Sequence, residues 1–232
     1  MFPKLYEHKY KFAIFILLGF ASIISISLAF VRMQYSDTLH YKNLVWNLIL
    51  AWIPLLFATT AYISAISRKP IFYLIILGCS LVWLLFFPNA PYILTDFQHL
   101  SLVNDNVPVW FDVILLVWFA WTGLLLGMVS LYLMQKIIDR TFGSVIGWLF
   151  VFVSVSLGSL GIYLGRFERW NSWDVFQDPL PILTDFLHTL QHPRSNIRLL
   201  GFTLLFALFF LFIYLTLIVF GKLAHEQRRE LN

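Results

Sequence analysis

Apolar residues fall into six long runs, at residues 12–31, 44–66, 71–87, 109–134, 145–164 and 198–221, separated by polar stretches. At about 1.5 Å of rise per residue, each run crosses or nearly crosses a hydrocarbon layer about 30 Å thick. Backbone amides have no water to bond there, so each run is predicted to be a helix. The expected fold is all-α: one domain, 1–232, forming a polytopic membrane bundle of about six transmembrane helices, with short interfacial helices in the outer loops. The third run is the shortest and stops at Pro88, so its far end is either re-entrant or draws the following loop into the membrane. The first run is too long for a secretory leader, lacks a small-x-small cleavage site and is followed by further spans. It reads as an uncleaved helix.

Composition supports the membrane assignment. Of 232 residues 60% are hydrophobic and 12% charged, where soluble domains carry about 25% charged residues. The 9 Trp and 10 Tyr supply interfacial anchors, and the 24 Phe add lipid-facing bulk. The net charge of +4 does not point to nucleic acid, because Lys and Arg lie in short runs beside the apolar segments and act as topology determinants. Cys79 is the only cysteine, which excludes an internal disulfide and a cysteine-based metal site.

With the N-terminus inside, ten Lys and Arg residues fall on the cytoplasmic side (Lys4, Lys9, Lys11, Arg68, Lys69, Lys136, Arg140, Lys222, Arg228, Arg229). Six fall opposite: Arg32, Lys42, Arg166, Arg169, Arg194 and Arg198. This bias places both termini in the cytoplasm. The two longest loops, 88–108 and 165–197, then face outward, and a functional site opens on that side. Small residues mark close helix contacts. Gly147, Ser154, Gly158, Gly161 and Gly165 stripe the fifth span, which is expected to be buried in the bundle, and Gly123 and Gly127 form a second close-approach face on the fourth.

The outer loops contain an internal echo. Residues 93–99 (ILTDFQH) and 182–188 (ILTDFLH) agree at six of seven positions, and each precedes an outside-to-inside span. If these segments are helical, Asp96 and His99 share one face, as do Asp185 and His188, with Thr95 and Thr184 near the helix starts. Each Asp either orients its neighbouring His or caps its own helix, or the two pairs act together as ligands for a divalent metal such as zinc. Between the copies, Arg166 and Arg169 are suited to phosphate or carboxylate, Trp170 and Trp173 to anchoring or stacking, and Glu168 and Asp174 to acid/base work. Pairing of these arginines with nearby carboxylates or lipid heads is the structural alternative. Asn89, after Pro88, caps the next turn or lines a cavity, and Asp112 is expected to neutralise the amides at the start of the fourth span.

Two stretches carry a family resemblance: Phe87-Pro88-Asn89-Ala90-Pro91-Tyr92-Ile93-Leu94-Thr95-Asp96-Phe97-x-His99-Leu100, and Gly165-Arg166-Phe167-x-Arg169-Trp170-Asn171-Ser172-Trp173-Asp174. Together they resemble the bacterial membrane-protein family catalogued as domain of unknown function 1361. The resemblance covers the chain from about the second span to the sixth. It implies a small multispanning plasma-membrane protein and assigns no activity or catalytic residue.

Three functions compete. The first is a metal-assisted hydrolase or transferase acting on a lipid-linked or envelope substrate, with Asp96, His99, Asp185 and His188 on the metal, Glu168 or Asp174 as acid/base, and Asn89, Arg166, Arg169, Trp170 and Trp173 holding substrate. It expects Asp96, His99, Asp174, Asp185 and His188 around one outward polar cavity. The second is a transporter or lipid-handling protein; six spans are few for a solitary transporter, so this reading calls for a homodimer. The third is a non-enzymatic scaffold whose loop pairs are structural. All three have membrane lipids as partners and none involves nucleic acid.

Overall fold

The computed structural model describes residues 3–36, 39, 41–66, 70–102, 107–177, 180, 184 and 197–230. Among these, the long helices are α1 (Pro3–Ser36), α2 (Lys42–Ser64), α3 (Pro70–Phe86), α5 (Val109–Phe142), α6 (Ser144–Tyr163) and α8 (Ile197–Glu230). Short helices α4 (Asn89–Tyr92) and α7 (Asp174–Gln177) lie between them. Six helices are long and apolar enough to cross a membrane, so the protein is an all-α, multi-pass membrane bundle. The described residues form two compact units, 1–137 and 138–232.

In the first unit, α1, α2, α3 and the first 29 residues of α5, Val109 to Ile137, pack together. Its interior is built of Leu48, Leu55, Trp83, Phe87, Leu115 and Phe119. Pro54 is buried inside α2, a position that costs a backbone hydrogen bond and is tolerated where neighbouring helices surround it.

The third span does not end at Pro88. After Phe86 the chain turns, forms α4, and continues as a 3-10 segment, Ile93–Leu102, so the apolar stretch runs from Phe72 to Gln98. The prolines explain the break. Pro88 and Pro91 each lack an N–H, so the regular i to i−4 ladder cannot pass through them. The chain is reconnected by one shorter link, the Ala90 amide donating to the Phe87 carbonyl (3.3 Å), after which the Tyr92 amide resumes helical spacing by donating to the carbonyl of Pro88 (3.0 Å). The echo segment 93–99 is thus a continuation of the third span, not a separate interfacial helix. Thr95, the third residue of that segment, lies near its start as expected, and its hydroxyl donates to the Tyr92 carbonyl at 2.7 Å. Of the matching segment 182–188, all but Thr184 lies outside the described residues.

The broken segment packs on the glycine face of α5. A Cβ on Gly123 would lie 2.5 Å from the Ala90 carbonyl oxygen and 2.8 Å from Ile93 Cδ1, and one on Gly127 would lie 3.2 Å from Ala90 Cβ. Only a residue without a side chain admits backbone this close. Gly123 stands about 21 Å along α5 from Val109, so the break lies deep within the span. The apolar part of the fourth span is 61% buried and that of the fifth 39%.

In the second unit α6 packs on α8, with Trp148 edge-on to Tyr214 (centroids 6.1 Å). Of the small-residue stripe on α6, Gly147, Ser154 and Gly158 are buried. The last turn of α6 widens into a single π-helical stretch, Leu164–Glu168, and Arg169 follows in the left-handed region at φ 61°.

Candidate functional site: a polar interior behind the broken span

The first unit buries a set of polar groups that its apolar surroundings make costly unless partnered. Arg32, near the end of α1, is 1% exposed, and Asp112, in the first turn of α5, is 2% exposed. The guanidinium donates through Nε to Asp112 Oδ1 (2.5 Å) and through Nη2 to Oδ2 (3.1 Å), the two-pronged geometry that only arginine provides. The Tyr41 ring lies 5.6 Å from the guanidinium carbon. Sequence reasoning places Asp112 at the helix start but gives it free amides to neutralise. Asp112 does stand in the first turn of α5, and its carboxylate is in addition engaged by Arg32, a residue assigned by sequence only to topology. An 80-residue separation leaves no periodic signal by which to pair them.

Asp96 is 3% exposed and projects from the 3-10 segment toward α2, where Asn47 Nδ2 donates to its Oδ2 at 3.0 Å. Deeper in the unit, the Trp52 indole donates to Ser22 (3.0 Å), the Ser25 and Thr122 hydroxyls lie 3.5 Å apart, and the Trp83 indole donates to Ser130 (3.1 Å). These hydroxyls also bond back to their own helices: Ser22 to the Leu18 carbonyl, Ser25 to Ala21, Thr122 to Trp118 and Ser130 to Gly127. Such bonds let a hydroxyl sit in an apolar helix at little cost.

The other expected site residues are dispersed. Asn89 is half-buried, and its side-chain amide donates to the Phe86 carbonyl at 3.1 Å, tying α4 to the end of α3. In the second unit Glu168 and Arg169 are exposed, while Arg166, Trp170, Trp173 and Asp174 are half-buried. Asp174 accepts from the Asn171 backbone amide (2.7 Å) and side chain (3.2 Å), which closes the loop locally at the start of α7. Phe167 is held in a ring cluster with Tyr163 and Phe202, at 4.7 and 5.4 Å. Asp185, His188 and the side chain of His99 lie outside the described residues. Among the described residues, no three His, Cys, Asp or Glu side chains are grouped to hold a metal ion.

The helices and their buried polar pairs define a polytopic helical membrane protein. Residues 46–229 match the family model described as protein of unknown function (DUF1361), and the chain belongs to that family. No curated protein and no solved structure matches it.

Proposed function

We propose that the chain is a lipid-handling membrane protein of the plasma membrane, with both termini cytoplasmic and the Arg32 end of the first unit facing outward. The orientation rests on the ten-to-six Lys and Arg bias. The function rests on one observation: buried polar side chains recur along α5 at Asp112, Thr122, Ser130 and Gln135. From Asp112 to Gln135 is about 35 Å of helix, enough to cover a hydrocarbon core about 30 Å thick. Polar groups at such depth mark substrate pathways in membrane proteins, and broken helices mark their binding sites. A polar headgroup passing along this helix would exchange hydrogen bonds with the Asn47–Asp96 pair and the hydroxyls below it, while its chains stay in lipid.

The metal-assisted hydrolase or transferase is the other reading. It needs Asp96 and His99 to share an ion with Asp185 and His188, whereas the Asp96 carboxylate is buried against Asn47. Reconstituted vesicles carrying a headgroup-labelled phospholipid separate the two. The parent is expected to speed exchange of label between leaflets, and Asp96→Asn to slow it about tenfold or more, since a hydrogen bond to a charged group is worth about 1.5–3 kcal/mol. No acceleration by the parent, with a bound transition metal lost on His99→Ala plus His188→Ala, would transfer the case to the metal enzyme.

A further inference from the structure

The second unit holds two hydroxyls that its helices leave unused. Ser159 of α6 is buried and Thr203 of α8 half-buried, and the oxygen of each is shielded from solvent with no hydrogen-bond partner among the described residues. A hydroxyl in an apolar helix ordinarily bonds back to the carbonyl four residues earlier, as Thr216 of the same α8 does to Phe212 at 2.8 Å. A buried donor left without an acceptor is costly. α6 and α8 run antiparallel, with Trp148 against Tyr214 and Tyr163 against Phe202. Ser159 follows Trp148 by eleven residues and Thr203 precedes Tyr214 by eleven, so the two hydroxyls stand at one level of the helix pair.

Thr203 lines a groove of about 210 Å³ between these helices, which continues past Ser156 and Ala207 to Phe152 and Leu211. From Thr203 to Leu211 is about 12 Å of helix. Phe152, Leu204 and Leu208, which also line it, are 58%, 62% and 56% exposed, so the groove opens sideways, where a membrane helix meets lipid. A helix is about 10–12 Å across and too thick to enter. A cavity of about 150 Å³ takes a benzene ring, and by proportion this groove takes a single hydrocarbon segment of about eight carbons. The apolar stretch of α8, Ile197–Ala224, is 28 residues long, which at about 42 Å matches a bilayer with its interfacial layers, about 40–45 Å. Thr203 stands about 9 Å from the start of that stretch, just past an interfacial layer about 5–7 Å deep. At that depth the ester carbonyls of a glycerolipid join its headgroup to its chains, and a carbonyl accepts without donating. We propose that the groove binds one acyl chain of a membrane glycerolipid, with the chain lying along Ala207 toward Leu211 and its ester carbonyl accepting from Thr203, Ser159 being a second donor at that level. The site lies in the second unit and goes beyond the lipid-handling reading, which rests on the first.

Native mass spectrometry of the delipidated full-length protein tests it, by titration with a diacyl phosphatidylcholine and with the dialkyl ether lipid of the same headgroup and chain length, which lacks the carbonyls. One diacyl lipid per protein is expected to be retained about threefold to tenfold more tightly than the ether lipid, the range a neutral hydrogen bond supplies. Thr203→Val with Ser159→Ala removes both donors with little change of shape and should erase that preference. Ala207→Phe, which fills the groove below Thr203, should weaken retention of both lipids about tenfold. Equal retention of ester and ether lipid by the parent, a preference that survives in the hydroxyl variant, or undiminished binding in Ala207→Phe overturns the proposal. A dimer that appears in place of the lipid adduct and is lost in Ala207→Phe also overturns it, and would give the groove to a second copy of the chain. If Ala207→Phe does not fold, the ester-to-ether ratios of the parent and the hydroxyl variant decide alone.

Discussion

Arg32 carries a full charge into a place where a bare ion costs several kcal/mol, and Asp112 offsets that cost through two hydrogen bonds. Removing one partner strands the other. Arg32→Ala is expected to lower stability by about 3–5 kcal/mol, whereas Arg32→Met with Asp112→Leu should fall near the parent, because two apolar groups leave no ion behind. Thermal unfolding in detergent compares the three proteins, and a double variant as unstable as the single one would show that the pair does more than satisfy itself. Asp96 and Asn47 form a second polar contact in the same unit, the Asn47 side-chain amide donating to the Asp96 carboxyl at 3.0 Å. The sequence makes Asp112 legible as an acid at a helix start, but a contact across 80 residues depends on how two helices are rotated, and neither helix has enough amphipathic pattern in lipid to state its rotation.

Among the elements, the third span matters most. Pro88 and Pro91 announce a break, and Gly123 and Gly127 announce a close approach; both signals are readable from residue type alone. That one fills the other is not readable, because van der Waals fit leaves no periodicity. The contact predicts a graded response. Gly123→Ala forces a Cβ to within 2.5 Å of the Ala90 carbonyl and should cost about 1–3 kcal/mol, as overpacking does, while Gly127→Ala, at 3.2 Å from a methyl group, should cost less. Gly19→Ala meets nothing within 4 Å and serves as the control. Equal melting temperatures for all three would contradict the packing of α4 on α5. The Asp-x-x-His echo shows the opposite limit of sequence reasoning. Its first copy is helical as expected, but it belongs to a span whose interior claims Asp96, so a pattern read as a loop motif is part of the bundle wall.

For the molecule as a whole, six apolar runs of 17 residues or more translate directly into six helices, because the bilayer fixes the length and satisfies no amide. The candidate chemistry was less legible. Glu168, Arg169 and Asp174 lie at helix ends, whereas the buried Arg32, Thr122 and Ser130 and the half-buried Asn47 are isolated polar positions in apolar stretches of sequence and form no motif. Orientation is tested by cysteines at Asn104 and Ser172 in a Cys79→Ala background: both should react with an impermeant thiol reagent on intact cells, and reaction only after permeabilisation would invert the topology. The central claim, that the pair behind the broken span handles a polar headgroup, is tested most directly by a double-mutant cycle on leaflet exchange in reconstituted vesicles. If Asn47 and Asp96 act as one unit, Asn47→Ala, Asp96→Ala and the double variant should slow exchange by nearly the same factor; exchange rates equal to the parent's, or losses that simply add, would contradict it.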